Sequence, residues 1–243
     1  MSRNRQRPIL TAEPRAVRQE CAAAAGTVAA RIFSSLDEIA VGLCEVFDSA
    51  DAGGRRVGTG EIQVLRPLLL QHLARHGRLF DGTGVVIEPG ILTDQDRYLE
   101  WWRAPGPRRL SLDLDPGSET FYDYTQMEWF AVPRDTGQRV ACGPWVDYSG
   151  ADRYVVTFAR PVLDARGRFV GVAGADVPLT GLEEAVMPAL RSAPADLALV
   201  NGRGRVVASS SAAVPPGTLL RSIAEDRVTP VTELGSGWRV ADV

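Results

Sequence analysis

The residues best suited to binding chemistry lie between positions 121 and 176, where aromatic rings alternate with isolated acids. A buried carboxylate is costly unless it is paired, and two carboxylates that face one pocket repel each other and favour a cation. Aromatic faces attract a desolvated cation by roughly 0.5–2 kcal/mol each. Acids and rings with no basic residue among them therefore predict a pocket for a small amine or a quaternary ammonium ion. The candidate residues are Tyr122, Tyr124, Met127, Trp129, Phe130, Trp145, Asp147 and Asp176.

The same residues also have a purely structural interpretation. Aromatic side chains in a segment rich in strand signals commonly belong to the core. Asp176 could cap the helix predicted over residues 177–191, and Asp147 could order its own loop. A cavity lined by Trp129, Trp145 and Asp176 would favour ligand binding. An empty, collapsed pocket would instead favour a ligand-free protein that works only through interactions with other proteins.

Composition limits the class of protein. The chain has 243 residues, of which 45% are hydrophobic, and this is enough for one elongated domain or two small ones. Charged residues make up 23% and the net charge is −3, a balance that argues against direct nucleic-acid binding. The three cysteines are too few for a disulfide framework, and no pair has the spacing of metal ligands.

The sequence contains no uninterrupted apolar run of the roughly 18 residues that a membrane-spanning helix needs. The basic N-terminus is not followed by the apolar core of a signal peptide. We therefore expect a cytoplasmic protein with no membrane association. A soluble fragment of an extracytoplasmic sensor would have the same sequence features, so this alternative stays open.

The first quarter of the chain is dominated by one helical pattern. Residues 1–10 are expected to form a disordered basic arm, and residues 11–50 a long helix. Apolar residues recur every three or four positions from Val17 to Val46, which is the pattern of one face of an amphipathic helix. The helix either lies along the domain behind it or also pairs with its counterpart in a homodimer.

Two histidines, His72 and His76, lie four residues apart on the next predicted helix. Zinc proteases use this spacing, but with a glutamate base between the histidines. Here the intervening residues are Leu-Ala-Arg, and no third ligand is evident. The pair is therefore predicted to be structural, with no metal.

The clearest strand signal is a hairpin. Segments 153–161 and 168–175 are rich in β-branched residues and flank the turn residues Asp164–Gly167, which predicts an antiparallel pair. The predicted fold is α+β, with the long N-terminal helix packed on two antiparallel sheet modules. We expect residues 51–180 to form the first, ligand-binding module and residues 181–243 a smaller second module.

Three local expectations accompany this fold. Strand signals are expected to dominate from Tyr122 onward. Trp101 and Trp102 are expected in a helix or a loop that packs on the sheet. Residues 218–223, which follow a Pro-Pro-Gly break, are expected to form a short helix.

Several segments together resemble the double form of the Cache sensor family. The resemblance implies PAS-like sheets, a first module that binds small metabolites, and a signal passed on to a partner. Such domains usually lie outside the membrane on chemoreceptors and kinases, so the partner would be a regulatory protein. The segments that carry the resemblance are the N-terminal helix, Tyr122–Phe130, Gly143–Asp147, Val155–Val162, Asp164–Gly167, Phe169–Asp176 and the second turn Asn201–Gly204.

One position departs from the pattern of the family's amino-acid-binding members. Those members share a tyrosine, an arginine five residues later, a tryptophan with an aromatic residue beyond it, and two downstream aspartates. The arginine, which grips the ligand carboxylate, is replaced here by Met127. The resemblance therefore implies an amine rather than an α-amino acid, with an amino acid or another small metabolite as the alternative. The matching residues are Tyr122, Trp129, Phe130, Asp147 and Asp176.

The sequence also argues against an enzyme. Its only two histidines lie on one early helix, so a Ser-His-Asp arrangement is not evident. There is no P-loop and no Gly-x-Ser-x-Gly motif. Cys142 opens a Cys-Gly-Pro-Trp segment that lacks the second cysteine of a redox motif. We expect no catalytic residues and no cofactor.

Overall fold

The structure is a computed structural model, and it describes residues 13–146, 153–235 and 237–243. The predicted arm over residues 1–10 and the candidate site residue Asp147 lie outside the described residues. Within them, the helices are α1 (Pro14–Ala52), α2 (Thr59–Ile62), α3 (Arg66–His76), α4 (Glu128–Thr136) and α5 (Leu179–Ser192). Short 3-10 helices cover Gln63–Leu65, Gly77–Leu79, Tyr124–Gln126, Glu225–Arg227 and Thr232–Leu234.

The described strands form two antiparallel sheets. The first is β1 (Gly82–Ile87), β2 (Leu99–Arg103), β3 (Arg108–Arg109), β4 (Val140–Val146), β5 (Tyr154–Leu163) and β6 (Phe169–Pro178), in the order β3-β2-β1-β6-β5-β4. The second is β7 (Leu197–Val200), β8 (Val206–Ser209), β9 (Val228–Pro230) and β10 (Arg239–Asp242), in the order β8-β7-β10-β9. The prediction of an α+β fold with a long helix on two PAS-like sheets is confirmed. The module boundaries stay predictions.

Helix α1 spans both sheets. It has 39 residues, which corresponds to about 58 Å, and Pro14 at its start has the φ angle that a first helical turn needs. Its apolar stripe is buried, as shown by Ile32, Leu36 and Leu43, none of which is exposed to solvent. The helix contacts β5 and β6 of the first sheet and β9 and β10 of the second. The stripe is therefore used within the chain itself.

The opposite face of α1 is exposed and mixes small residues such as Ala23 and Ala30 with charged ones such as Arg31 and Glu38 and with Val41, which is 57% exposed. A homodimer through this helix would have to use that face, because the apolar stripe from Val17 to Phe47 is buried within the chain. Homodimerisation through α1 stays a prediction.

The hairpin predicted from sequence forms the centre of the first sheet. Strands β5 and β6 pair antiparallel, and the backbone N–H of Gly167 donates to the carbonyl of Asp164 to close the turn. Successive side chains on these strands point to opposite faces. One face packs on α1 through residues such as Phe158 and Val177, and the other face carries Trp101 and Val172. This second face holds the site described below.

Three local predictions were wrong. The segment from Tyr122 turns into a 3-10 helix and then α4, because Asp123 accepts a hydrogen bond from the backbone of Thr125 and starts the turn. Trp101 and Trp102 lie in strand β2, where aromatic residues are common. Residues 218–223 are not helical.

The segment at 218–223 instead runs beside β8. The backbone N–H of Val206 donates to the carbonyl of Thr218, and that of Leu220 donates to the carbonyl of Gly204, each at 2.8 Å. Gly217, with a φ of 91°, sets the direction of the chain into this pairing. The backbone of this segment therefore forms hydrogen bonds with the neighbouring strand instead of the internal hydrogen bonds of a helix.

Polar contacts join the two sheets. The indole N–H of Trp238 donates to the carbonyl of Ala141 at 2.9 Å, and the amide of Asn201 donates to the carbonyl of Gly143 at 2.6 Å. Both acceptors belong to β4, which carries Trp145 two residues further on. The strand that contacts the second sheet therefore also contributes a candidate site residue.

Candidate functional site

A cavity of about 340 Å³ lies on the face of the first sheet that points away from α1. This volume falls within the range of pockets that bind small molecules. Five of the eight candidate residues line it, namely Tyr122, Met127, Trp129, Trp145 and Asp176. The other lining residues are Val86, Leu99, Trp101, Arg103, Leu110, Leu112, Glu128, Val146, Val155 and Thr157. A cavity lined by Trp129, Trp145 and Asp176 favours ligand binding over a protein that works only through interactions with other proteins.

Tyr124 and Phe130 do not line the cavity. Both side chains are completely buried, and their rings meet edge to face with centroids 5.0 Å apart. The hydroxyl of Tyr124 donates to the carbonyl of Ile87 at 2.7 Å, and burial raises the pKa of this hydroxyl, so it stays a donor. Tyr124 and Phe130 therefore have a structural role, because they hold α4 against the sheet.

The floor of the cavity is an indole ring that lies flat on glycines. A Cβ on Gly82, Gly84 or Gly174 would lie 2.5, 2.9 or 3.1 Å from the nearest indole atom of Trp101. Gly84 is the register partner of both Trp101 and Gly174, so the three positions form a row across β2, β1 and β6. Only residues without a side chain leave room for the ring.

Gly84→Ala is expected to lower the free energy of unfolding by at least about 2 kcal/mol, which is a fall in Tm of roughly 4–8 °C. The new Cβ would lie 2.3 Å from the carbonyl oxygen of Glu100, a backbone atom that can move only by disrupting the β1–β2 pairing. Gly60→Ala in α2 is the control, since no atom lies within 4 Å of its Cβ. Thermal unfolding of the two variants tests this, and equal Tm values would contradict it.

Asp176 is held at one side of the cavity by a chain of hydrogen bonds. The indole N–H of Trp145 donates to the hydroxyl of Thr157 at 3.1 Å, and that hydroxyl donates to a carboxylate oxygen of Asp176 at 2.7 Å. The alternative in which Asp176 caps the following helix is wrong. Helix α5 begins at Leu179, and its capping position is Pro178.

One charged residue in the cavity, Arg103, was not predicted from the sequence. It is 7% exposed and donates to a carboxylate oxygen of the buried Asp81 at 2.8 Å. The assumption that no basic residue accompanies the acids and rings is therefore wrong. Arg103 lies two residues beyond Trp101 in β2, so both side chains project from the same face. Recognising β2 as a strand is the signal that could have revealed it.

The charges are arranged around Gly82. This glycine is the register partner of Arg103 on β2 and of Asp176 on β6. A cationic and an anionic side chain therefore flank a position that has no side chain of its own. At the edge of the cavity, Glu128 pairs with Arg203 of the second sheet's β7–β8 turn at 2.5 Å.

Two other groups singled out in the sequence have structural roles. Burial raises the pKa of the Cys142 thiol well above its ordinary value, which makes it a poor nucleophile. His72 and His76 are buried between α1 and α3, where both contact the hydroxyl of Ser35. Among the described residues no three His, Cys, Asp or Glu side chains are placed to hold a metal ion.

Residues 66–184, a stretch that includes all strands of the first sheet, match the model of the methyl-accepting chemotaxis protein-like first PDC sensor domain. This stretch belongs to that sensor-domain family. The double Cache, PAS-like sensor domain predicted from the sequence is confirmed. Sensor domains of this kind are ligand-binding modules and not enzymes. No curated protein is detectably similar to the chain in sequence.

Solved structures share the fold of the whole chain. The ligand-binding domain of the Pseudomonas aeruginosa PAO1 amino acid chemoreceptor PctB, in complex with L-Arg, is 17% identical with a TM-score of 0.59, and the match covers 97% of this chain and 96% of that one. The ligand-binding domain of the Pseudomonas fluorescens chemoreceptor CtaA, in complex with L-valine, is 16% identical with a TM-score of 0.59, covering 95% and 96%. At these identities the likeness concerns the fold.

A third structure has a different biological setting. The extracellular domain of soHK1S-Z6, described as a histidine kinase, is 16% identical with a TM-score of 0.63, and the match covers 94% of this chain and 92% of that one. In the sensor domain itself, none of the described helices is both long enough and apolar enough to cross a membrane.

Proposed function

We propose that the sensor domain binds a small metabolite with an ammonium group in the cavity of the first sheet. The observation that carries this proposal is Asp176, a carboxylate placed in a cavity whose other walls are largely aromatic and aliphatic. The hydroxyl of Thr157 donates to this carboxylate at 2.7 Å and fixes its position at the side of the cavity. The indole rings of Trp101, Trp129 and Trp145 supply faces that attract a cation.

The ligands of similar structures support the same class of compound. PctB and CtaA are in complex with L-Arg and L-valine, both of which carry an ammonium group. Two classes are consistent with this, a simple amine or quaternary ammonium ion and an amino acid. Arg103 is the observation in favour of the amino acid, because a simple amine would gain nothing from a nearby guanidinium.

Location and partner follow from the same comparison. We propose an extracytoplasmic location, the second of the two predicted from the sequence, because soHK1S-Z6 is an extracellular domain. Its partner in signalling would be a kinase or a chemoreceptor-type protein. Ligand binding would shift the first module toward a closed conformation, and β4, α4 and α1, which contact the second module, would transmit that shift. In a homodimer that pairs through the exposed face of α1, this conformational shift would be transmitted to the second copy.

Ammonium compounds are expected to stabilise the domain, and Asp176→Asn is expected to remove the effect. At 100 times its dissociation constant a ligand adds about 2.7 kcal/mol, which is a rise in Tm of roughly 5–10 °C for a chain of this length. A thermal-shift panel of amines, quaternary ammonium ions, amino acids and carboxylates measures this. The matched control is Glu119→Gln, which removes an exposed negative charge outside the cavity.

Two results would count against the proposal. One is stabilisation by carboxylates that lack an ammonium group when no ammonium compound has an effect. The other is an Asp176→Asn variant that binds an ammonium compound as tightly as Glu119→Gln does.

A further inference from the structure

A second cavity, of about 700 Å³, lies where the first sheet meets the second, and we call it the intersheet cavity. Its walls come from α4, from residues 138–143 at the start of β4, from the β7–β8 turn, and from residues 232–235 with Trp238. The volume is within the range of pockets that bind small molecules. We infer that this cavity binds a small organic anion between the guanidinium groups of Arg139 and Arg203.

The guanidinium of Arg139 is the first observation. Arg139 lies between α4 and β4, and its guanidinium stacks on Phe33 of α1, with its central carbon 4.5 Å from the ring centroid. Phe33 is completely buried, so the ring is a fixed support for the charge. Among the described residues, Arg139 forms no ion pair and its guanidinium donates no hydrogen bond. A cation with five N–H donors is therefore held in the wall of the cavity and is open to a ligand.

The second observation is a cation from the other sheet. Arg203 in the β7–β8 turn lines the cavity, and its Nη2 donates to Oε2 of Glu128 at 2.5 Å. The side chains of this pair are 72% and 35% exposed. Solvent screens an ion pair of this kind, so the pair is weak and Arg203 can exchange Glu128 for another anion.

The balance of charge in the wall is the third observation. Glu128 is the only acid among the described residues that line the intersheet cavity, against two arginines. Two other acids lie near the wall in sequence, but they have other partners. Asp135 pairs with Arg134 at 2.8 Å, and the carboxylate of Glu233 lies on α1, where a Cβ on Gly26 would be 2.6 Å from its Oε2. The lining is therefore positive, which favours an anion over a cation or a neutral compound.

The chemistry of the two arginines defines the class of ligand. A planar guanidinium binds carboxylate or phosphate oxygens through paired N–H donors. An anion between Arg139 and Arg203 would contact both sheets and would compete with Glu128 for Arg203. Glu128 also lines the first cavity, so this exchange would leave a carboxylate without its partner in the wall of that cavity.

Matched compounds test the anion site in the wild-type protein. Succinate and succinamide share a carbon frame, as do glycerol 3-phosphate and glycerol, and only the first member of each pair is an anion. Titration calorimetry at constant ionic strength is expected to give at least about 10-fold tighter binding for the anion of one pair, as hydrogen bonds to charged groups provide. The pair that shows the difference tells whether the site takes a carboxylate or a phosphate. If neither anion binds more tightly than its neutral partner, the inference is wrong.

Three variants locate the anion. Arg139→Gln and Arg203→Gln are each expected to weaken its binding about 10-fold by removing a charged hydrogen-bond donor. Glu128→Gln is expected to tighten binding by roughly 3-fold, because Arg203 then has no charged partner to exchange. The matched control is Arg205→Gln, which removes an exposed arginine that lies two residues from Arg203 and outside the cavity. Thermal unfolding without the anion checks that each variant is folded.

The opposite signs make the test specific, because a general loss of structure cannot tighten binding in one variant and weaken it in two others. Equal anion affinity of the Arg139→Gln, Arg203→Gln and Arg205→Gln proteins would place the anion elsewhere and overturn the inference. Weaker binding by Glu128→Gln would show that the anion does not compete with Glu128, and this would overturn it as well. The ammonium site of the first cavity is tested separately by Asp176→Asn, and none of these outcomes decides it.

Discussion

Asp81→Asn is expected to lower the free energy of unfolding by about 3–5 kcal/mol. The substitution keeps the size of the side chain and removes the charge that compensates Arg103, and both residues are at least nine-tenths buried. Breaking a buried ion pair by removing the charge of one member costs about this much, because solvent cannot replace the lost interaction. Arg153, which approaches the other oxygen of Asp81 at 3.7 Å, would lose the same partner. The effect corresponds to a fall in Tm of roughly 6–20 °C.

The chain contains a matched control for this change. Asp96→Asn removes the charge of another Asp–Arg pair with a short contact, 2.7 Å to Arg97, but the side chain of Asp96 is 63% exposed. Solvent screens such a pair, so a loss of less than about 1 kcal/mol is expected. Urea denaturation of both variants at neutral pH gives the comparison. If the two substitutions cost the same, Arg103 does not depend on Asp81 and the cavity wall is not organised around this ion pair.

The features that the sequence predicted well are those with a local signal. Apolar residues spaced by three and four positions fix the buried face of α1 whatever lies beyond it. The turn Asp164–Gly167 sets the register of β5 and β6, and register decides that Asp176 and Thr157 meet on one face. Resemblance to a family then pointed to Tyr122 and Trp129, which line the cavity.

The wrong predictions within the site concern the side of the chain to which each side chain points. Strand signals predict an extended path for the segment from Tyr122 to Phe130, in which alternate side chains share a face. Its actual path through a 3-10 turn and a helix turns Tyr124 and Phe130 into the core and leaves Tyr122, Met127 and Trp129 at the cavity. A single capping contact by Asp123 decides between these paths, and such contacts have weak sequence signals.

Arg103 escaped prediction for a different reason. Its partner Asp81 is 22 residues away, and the two meet only because β1 and β2 pair with a particular register. The sequence around residue 103 is rich in tryptophan, proline and charge, and it does not alternate clearly enough to indicate a strand. An ion pair between residues that are distant in sequence can be predicted only when the register of the sheet is known. Composition and spacing near the residue do not give that register.

The same is true of the histidines. Ser35 has one hydroxyl between His72 Nδ1 and His76 Nε2, the latter at 3.0 Å. One consistent arrangement has His76 donating to Ser35 and Ser35 donating to His72, whose other nitrogen faces Glu38 at 3.5 Å. In this arrangement His72 is neutral, because its Nδ1 accepts the Ser35 proton, and a proton on the buried Nδ1 of His76 would have no acceptor among the described residues. The cluster holds α3 against α1 at the point where α1 crosses the first sheet.

Acidification is therefore expected to destabilise the domain between about pH 6.5 and pH 4. Burial lowers the pKa of His76 to about 4, with a further contribution from the charge of Arg31, and burial likewise lowers the pKa of His72. In this range the unfolded chain binds a proton at His76 that the folded chain does not, so each fall in pH favours unfolding. The stabilisation is fully present above pH 6.5, and about 2–3 kcal/mol is lost by pH 4.5 through His76 alone.

Two glutamates, Glu100 and Glu88, change the pH dependence of stability in other ways. Burial raises the pKa of Glu100, but hydrogen bonds from Tyr98 and Trp102 and the charge of Arg109 outweigh it and leave the pKa lowered. Its stabilising effect is therefore lost only below the ordinary pKa of a glutamate. Burial raises the pKa of Glu88, which makes acidification favour the folded state at that site. Between pH 6.5 and pH 5 the histidines thus account for most of the expected change.

The chain has only these two histidines, which makes the experiment decisive. His76→Gln keeps an N–H donor near Ser35 and removes the titration, and the double variant with His72→Gln removes every histidine. Free energies of unfolding from urea denaturation at pH 7.5, 6.5, 5.5 and 4.5 should fall in the wild-type protein and stay nearly level to pH 5.5 in the double variant. A double variant that loses stability over pH 7.5–5.5 as steeply as the wild-type protein would show that the cluster between α1 and α3 is not the acid-sensitive element. A flat profile in the double variant would show that protonation of the histidines weakens the contact of α1 with the first module. Because α1 also contacts the second sheet, a change in pH would then act on the helix that joins the two sheets.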